Sequence, residues 1–554
     1  MLRFMIRRSA LIGAALAGAA IAQQTAPDAS LRSTETVTAG TCLPAEPLAE
    51  AAAATPPPVL VEGLGYVGIA PDSDIAEART WFAQGVQLIW AFDEAEAIRA
   101  FAEAQRADPT CALCFFGEAW ARSPTLNLQP RTPELEAARA AARRALALAE
   151  GLSPRDRVLI DAAVLRTRDG EDFSNRAYAD FLDRAARRMP DDDMIAVLAA
   201  DAHMIAAERG ARPAPAAQRL LERVLARNPG HGGAIHLYIH LTDWIDRQHL
   251  AVPYAERLAA IAPAASHLVH MPSHTFYGVG RYEEAAATNV AAIAADRAYI
   301  ARVRPPASAY RTGLDRHNMH FTIQSALIRG DGATALDMAR RYRETHMTGE
   351  ISLWARLIGG AAWYADGLHG GPEDVLAGDV PEHAADKAFR HYARGEIHAR
   401  LGDAGRVAEE AGAIAALLDG PEASFGPATP LIEILRHVLD GRAAMVAGRY
   451  DEAAAAYRRG MQAQLAMDAG NDPPPFWYSV RRSLGAALLA GGDARGARRQ
   501  LEASLARWPD DPLALYALSQ AEQATGRAEA AARNLARARA LWAGNVTAIP
   551  LTRI

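Results

Sequence analysis

The chain has 554 residues, half of them hydrophobic, and a formal net charge of −6 at pH 7. This length exceeds what one compact core holds, so several domains or an elongated repeat are expected. No basic domain or stripe indicates a nucleic-acid-binding protein, and no apolar run after the N-terminus has the roughly 20 residues needed to cross a bilayer.

The N-terminal residues have the pattern of an export signal. "MLRFMIRRSALIGAALAGAAIAQQ" begins with a basic segment, continues with an apolar stretch and ends in a small-x-small site. We therefore expect a signal peptide at residues 1–22 and a mature protein that is periplasmic or secreted. Residues 23–73 are rich in Ala, Pro, Thr and Gly, which predicts an N-terminal linker.

The three cysteines are Cys42, Cys111 and Cys114. An oxidising compartment permits one disulfide among them and leaves one thiol over. Phe115 stands where a c-type haem site has its histidine, and no second CxxC completes a four-cysteine zinc site. A disulfide is therefore expected, with a metal or redox role for these cysteines as the alternative.

From residue 74 the pattern of small and large apolar residues recurs every 34 residues. Gly485 and Ser519 are 34 apart, as are Ala497 and Ala531. Small residues at these places let two helices approach closely while larger side chains fill the space between them. The pattern resembles the tetratricopeptide repeat, a 34-residue helix–turn–helix unit. The resemblance implies an all-α fold, a right-handed superhelical solenoid with inserted loops.

The regularity weakens in three places. Periodicity is poor from residue 346 to 385, so we divide the repeats into an N-terminal solenoid, 74–345, and a C-terminal solenoid, 346–554. Residues 296–314 and 466–481 contain two and three consecutive prolines and do not fit a repeat. Long loops in a solenoid fold over its inner face or cap it, and function concentrates there.

Nine of the 16 histidines fall between residues 231 and 320. In the register set by Pro229 and Pro263, most of these nine take positions 2, 5 and 9 of successive repeats. At 100° per residue, these positions share one helix face, opposite the packing residues. That face lines the concave groove in tetratricopeptide proteins. The predicted cluster is His236, His240, His267, His270, His274, His317 and His320.

Histidines four residues apart on a helix can share a metal ion. Two such pairs on neighbouring helices would supply four imidazole nitrogens, which favours a transition metal, with copper or zinc preferred outside the cytoplasm. The alternative is that the histidines only form structural hydrogen bonds. Pro272 lies among them, and either a helix begins at this proline or a longer helix is kinked there.

Three stretches resemble an exported or uncharacterised subgroup of bacterial and fungal tetratricopeptide proteins. They are residues 91–127, residues 236–285 with "HLYIH" and "HMPSH", and residues 472–489 with "DPPPFWYSVRRSLGAALL". The resemblance supports the fold and the location of the site, and implies no reaction. The stretches add an orienting amide, two stacking rings and an anion contact to the predicted pocket, which are Asn127, Trp477, Tyr478 and Arg481.

The sequence thus predicts an exported solenoid whose groove holds a histidine-rich transition-metal site, with a metal-dependent oxidoreductase as one outcome. The alternative is a metal-free scaffold that binds a peptide or small molecule in the same groove. The sequence does not decide whether the protein is an enzyme. Neither nucleic acid nor a membrane is an expected partner after signal cleavage.

Overall fold

The computed structural model describes residues 56–126, 132–168, 175–207, 215–349, 351–420, 425–467 and 473–554. The predicted signal peptide, most of the linker, Cys42 and Asn127 lie outside these residues. The described residues form helices joined by turns and short loops, without a strand. None of their helices is long and apolar enough to span a bilayer.

The α-helices are numbered in chain order. They are α1 Ala76–Trp90, α2 Glu94–Ala107, α3 Ala112–Ala121, α4 Thr132–Ala147, α5 Pro154–Arg166, α6 Asn175–Arg188, α7 Asp193–Ala206, α8 Pro215–Arg227, α9 Gly232–Trp244, α10 Val252–Ile261, α11 Ser266–His270, α12 Pro272–Gly278, α13 Tyr282–Val303, α14 Ala309–Arg329, α15 Gly332–His346, α16 Leu353–His369, α17 Pro372–Ala377, α18 Ala384–Arg400, α19 Ala404–Asp419, α20 Thr429–Val446, α21 Tyr450–Met467, α22 Val480–Ala490, α23 Ala494–Leu505, α24 Pro512–Ala524 and α25 Ala528–Leu541. Short 3₁₀ turns lie at Gln248–Leu250, Gly426–Ala428, Val546–Ala548 and Leu551–Arg553.

Almost every helix packs on the next one, and several also pack on the next but one. Helix α1 contacts α2 and α3, and α3 contacts α4 and α5. The same alternation recurs where α16 contacts α18, α18 contacts α20, and α22 contacts α24. This arrangement of stacked helical hairpins is an all-α solenoid of the tetratricopeptide-repeat type, which confirms the predicted fold class.

Glycines on the packing faces of the helices explain how closely the paired helices approach. A Cβ added to Gly85 would lie 2.6 Å from the Phe101 ring, and one added to Gly117 would lie 2.3 Å from it. Near the C-terminus, a Cβ on Gly485 would lie 2.5 Å from Leu501. One large side chain therefore fills the space that the small residues leave, as the 34-residue pattern requires.

Aspartates end several of the turns between helices. Each accepts a hydrogen bond from a backbone amide two or three residues into the following helix, which satisfies a donor that the helix itself leaves unpaired. These N-caps are Asp93, Asp192, Asp331, Asp403 and Asp493. The caps set where each second helix begins and so keep the repeats in register.

The turn after α1 contacts residues from the middle of the sequence. The Tyr310 hydroxyl donates to the Ala91 carbonyl at 2.9 Å, across 219 residues of sequence. Arg311 forms ion pairs with Asp93 and, at 2.7 Å, with Asp296. Helix α1 also packs on α9. The first repeat is therefore held against the central, histidine-bearing repeats.

The last repeats also pack on the central ones. The Ala543 amide donates to the Arg329 carbonyl at 2.7 Å, and the Tyr282 hydroxyl donates to the Pro509 carbonyl at 3.0 Å. Helices α14 and α24 are in contact, and α15 packs directly on α16 across the predicted boundary at residue 346. The division into two solenoids stays a prediction.

The stretch at residues 296–314 is mostly helical, so the expectation of a long loop there was wrong. Helix α13 runs for 22 residues to Val303, and α14 begins at Ala309. Buried Tyr299 and Val303 extend the apolar face of α13 beyond the usual repeat length. The pair Pro305-Pro306 lies in the short break, where a missing backbone donor ends the helix.

Candidate metal centre

Helix α9 carries the first two histidines of the cluster. His236 and His240 lie one turn apart, and their Nε2 atoms are 3.2 Å from each other. The Nδ1 atom of His236 is 2.6 Å from the Trp90 carbonyl oxygen. Because a carbonyl can only accept, Nδ1 of His236 carries the proton and its Nε2 presents a lone pair.

Pro272 begins a helix and also follows one. Helix α11 ends at His270, Met271 keeps right-handed helical backbone angles (φ −51°, ψ −37°), and Pro272 opens α12. The two alternatives were that a helix begins at Pro272 or that a longer helix is kinked there. Each is partly correct, because α12 begins at Pro272 and follows α11 with only a short break. The break leaves the Nε2 atoms of His270 and His274 2.9 Å apart.

The tautomer of His270 follows from its contact with Asn289. The Asn289 amide nitrogen donates to the Ala285 carbonyl at 2.8 Å, so its oxygen faces His270. That oxygen lies 2.6 Å from Nδ1 of His270 and accepts its proton. The Nε2 atom of His270 therefore presents a lone pair, as in His236.

His267 has the same tautomer for a different reason. The Tyr310 hydroxyl gives its proton to the Ala91 carbonyl and lies 3.2 Å from Nδ1 of His267. The phenol oxygen therefore accepts from that ring nitrogen. The Nε2 atom of His267 is buried and has no hydrogen-bond partner, and the same holds for Nε2 of His317.

Six histidines form two triads. Within each triad, one nitrogen from each ring lies within 4.8 Å of the other two. The triads adjoin, because the ring centroids of His267 and His270 are 5.8 Å apart and those of His240 and His274 are 6.1 Å apart. None of the six residues is more than 6% exposed. The first triad is His236, His240 and His267, and the second triad is His270, His274 and His317.

His320 is the one predicted ligand outside the triads. Its Nε2 atom accepts a hydrogen bond from the Gln324 amide at 2.7 Å. The same amide donates to the Pro474 carbonyl at 2.6 Å. The lone pair of His320 is thus directed at Gln324, and His320 lies beside the second triad on α14.

A phenylalanine packs against each triad, which the sequence did not reveal. Phe92 lies with its ring centroid 4.2 Å from His236, 5.9 Å from His240 and 5.5 Å from His267. Phe321 lies 5.0 to 5.5 Å from all three rings of the second triad. Phe321 follows a triad histidine by one helical turn, which is a signal that could have been noticed.

Phe92 also has unusual backbone geometry. Its φ is +55°, in the left-handed region that bulky residues rarely adopt. The neighbouring ion pair between Asp93 and Arg311 holds this turn in place. Strained residues of this kind persist where the surrounding structure fixes them, often next to functional sites.

Burial keeps five of the six triad histidines neutral near pH 7. Burial lowers the pKa of His236 to about 3. Burial, followed by the neighbouring imidazoles, lowers the pKa of His240, His267 and His317 well below the usual range, and burial does the same for His270. Neutral imidazole is the form that binds metal ions. All six triad residues are histidines, so each triad offers only imidazole nitrogen atoms as ligands.

Cys111 and Cys114, the two cysteines among the described residues, do not join the histidines as ligands. Cys111 and Cys114 form a disulfide, with their Cα atoms 5.4 Å apart, at the start of α3. Both residues are fully buried.

The predicted aromatic residues of the pocket lie in the C-terminal half. Trp477 and Tyr478 are buried, and both rings pack on the guanidinium of Arg482, at 4.8 and 4.0 Å. Arg481 donates to Gln500 at 2.9 Å. The structure therefore does not bring these three predicted residues to the triads, and from that stretch the Pro474 carbonyl is what reaches the cluster.

No protein-family model matches this chain, and no curated protein matches it. Among solved structures, it is similar to a human IFIT1 dimer bound to m7Gppp-AAAA, with 13% identity over 86% of this chain and 92% of the other, at a TM-score of 0.29. It is also similar to the P58(IPK) TPR domain, with 12% identity over 82% of this chain and 99% of the other, at a TM-score of 0.22. At such scores these likenesses carry no inference about what this chain binds.

Proposed function

We propose that the protein binds two transition-metal ions, one in each triad, with copper preferred. The observation that supports this proposal most directly is the convergence of three ring nitrogens within 4.8 Å in each of two buried places. In each triad, one Nε2 atom, on His267 or His317, is buried without a hydrogen-bond partner. An unpaired buried polar atom costs about 1–3 kcal/mol, and a bound cation would remove this cost.

Hydrogen bonds behind the triads support the same proposal. The Nδ1 protons of His236, His267 and His270 are held by the Trp90 carbonyl, the Tyr310 hydroxyl and Asn289. Partners of this kind fix the tautomer and orientation of metal-binding histidines. They direct the Nε2 lone pairs of both triads toward the space between the rings.

The ligand set favours copper. Three neutral imidazoles without thiolate or carboxylate suit copper and zinc, and such a nitrogen site binds Cu²⁺ more tightly than Zn²⁺. Three protein ligands also leave a coordination position open, which is typical of catalytic rather than structural metal sites. We therefore propose a redox-active centre, with zinc as the second candidate ion.

We further propose that the protein acts outside the cytoplasm. The signal-like pattern at residues 1–22 supports this location, and so does the disulfide between Cys111 and Cys114, because disulfides persist in oxidising compartments. The test is fractionation of cells that express the full chain. Recovery of the protein in the cytoplasm with its N-terminus uncleaved would contradict this location.

Metal content tests the central proposal. The protein is purified from its exported form, stripped with a chelator, and dialysed against copper or zinc before elemental analysis. We expect about two ions per chain, falling to about one in His236→Ala/His240→Ala and in His270→Ala/His274→Ala, because each pair belongs to a different triad.

His249→Ala serves as the control, because His249 lies on a surface 3₁₀ turn away from both triads. We expect this variant to keep both ions. A wild-type chain that cannot be loaded would contradict the proposal, and peptide binding by that metal-free chain would favour the scaffold alternative.

A further inference from the structure

We propose that the two copper ions act as a pair and take up dioxygen between them. This inference rests on the proposed function, that copper fills both triads. It is based on two observations. The two triads, each with three possible ligands, lie next to each other, and all six histidines are buried beneath apolar side chains.

The first step concerns the vacant coordination positions. Between triads, the ring centroids of His267 and His270 are 5.8 Å apart and those of His240 and His274 are 6.1 Å apart. These distances are only slightly longer than the 4.8 to 5.7 Å between ring centroids within the second triad. Two ions held in adjoining triads would be neighbours, and in known two-metal sites the ions stand about 3.5–4 Å apart. A ligand with two donor atoms can then occupy the open positions of both ions at once.

The second step concerns the size and polarity of that ligand. His236 and His270 are fully buried, and the rings of Phe92 and Phe321 cover one triad each. A ligand must therefore be small and able to cross an apolar interior. Dioxygen has two donor atoms, no charge and no need for hydrogen-bond donors.

The third step concerns anionic ligands. Arg311 follows Tyr310, whose hydroxyl contacts His267, and its guanidinium is already paired with Asp93 and Asp296. The phenyl rings of Phe92 and Phe321 offer no hydrogen-bond donor. Arg311 and these rings are therefore not free to hold a phosphate or carboxylate, which favours an uncharged ligand.

The electron balance of uptake needs no further reactant. Each of the two copper(I) ions gives up one electron and becomes copper(II), and dioxygen accepts both electrons and becomes a peroxide dianion bound between the ions. No proton is consumed. Neutral imidazole is a ligand for both copper(I) and copper(II).

The test loads the stripped full-length protein with copper(I) without air, confirms the copper content, and then admits measured dioxygen. We expect one dioxygen consumed per pair of copper ions, a new near-ultraviolet charge-transfer band, and no copper(II) paramagnetic resonance signal, because the bridged spins couple. Zinc-loaded protein, with the same ligands but no electron to give, is the matched control and should consume none.

A variant that damages only one triad distinguishes a reaction that needs both copper ions from one that a single ion carries out. In His317→Ala the second triad loses one ligand, and we expect dioxygen uptake to fall more than tenfold while a copper(II) resonance signal appears from the remaining ion. Two bound coppers without this uptake, or with two independent resonance signals, would overturn the inference and leave the proposed function standing. A wild-type chain that binds no copper would instead defeat the proposed function.

Discussion

The same helix face is used differently in the centre and at the C-terminus of this solenoid. Counted from Pro509, positions 5 and 9 of helix α24 are Tyr516 and Gln520, and both are partly exposed. The corresponding residues of α9 are His236 and His240, which are buried. The repeat register decides which side chains share a face. Burial of that face in the centre comes from the turn after α1 and from α14, which cover it.

The two regions also bury different kinds of polar group. Near the C-terminus, fully buried Arg482 pairs with fully buried Asp511 at 2.9 Å and packs on Trp477 and Tyr478. In the centre, the six triad residues are all histidines, and no acidic or basic residue of another type belongs to either triad. The C-terminal region thus buries an ion pair, whereas the centre buries a group of imidazoles.

The largest expected difference between the two regions is how much the stability of the metal-free protein falls at acidic pH. The folded-state pKa values of His236, His240 and His267 lie below their unfolded values, so the stability that these neutral histidines contribute is fully present above about pH 6.5 and is lost as pH falls. Below that pH the unfolded chain takes up protons that the folded chain does not. Each such histidine then lowers the free energy of unfolding by about 1.4 kcal/mol per pH unit.

Urea unfolding of the stripped protein at pH 7 and pH 5 measures this loss. Hydrogen exchange should show α9 and α11–α12 opening before α24, because the triad histidines lie in the centre. Copper loading should raise the free energy of unfolding at pH 7, because copper binds the folded chain. An unfolding free energy that does not change between these pH values would contradict the burial of neutral histidines.

The next effect concerns the C-terminal ion pair. Arg482→Ala leaves Asp511 buried without its partner, and we expect a loss of about 3–5 kcal/mol in the free energy of unfolding. Arg481→Ala is the matched control, since Arg481 is only partly buried and contacts Gln500, and its loss should stay below about 1 kcal/mol. If urea unfolding gave equal losses for the two variants, the greater burial of Arg482 would not explain a larger contribution to stability.

A smaller effect tests the closure of the first repeat onto the centre. A Cβ on Gly233 would lie 2.4 Å from the Trp90 ring, so Gly233→Ala forces α9 away from the end of α1. We expect a loss of about 1–3 kcal/mol in stability and weaker copper binding at the first triad. Competition with a chelator of known affinity measures the second effect.

Gly412→Ala is the control for that substitution. Gly412 is exposed in α19, with open space around an added Cβ. The helix should gain about 0.5–1 kcal/mol and copper binding should not change. If both variants bind copper like the wild type, the contact between α1 and α9 does not position the first triad.

The smallest effect is expected when two histidines are introduced on the partly exposed face of α24. Tyr516→His/Gln520→His copies the spacing of α9 onto α24, where the face stays partly exposed. We expect no additional copper to survive dialysis against a chelator, because two exposed imidazoles lack a third ligand and fixed tautomers. A third retained ion per chain would show that register alone is enough to make the site.

The sequence predicted the helical repeats and the shared face of the histidines, because both follow from local periodicity. It could not predict that the Trp90 carbonyl holds the His236 ring, since these residues are 146 positions apart. The tautomers of His267 and His270 likewise depend on contacts with Tyr310 and Asn289, which no spacing rule encodes. Arg481 and Arg482 differ by 100° around α22, so choosing between them required the packing partners.

The most direct test of the dinuclear site is anomalous diffraction at the copper edge from crystals of copper-loaded protein. The account predicts two peaks per chain, each within bonding distance, about 2.0–2.1 Å, of three Nε2 atoms. One peak should lie in the first triad and the other in the second triad. A single peak, or peaks only at the protein surface, would contradict the account.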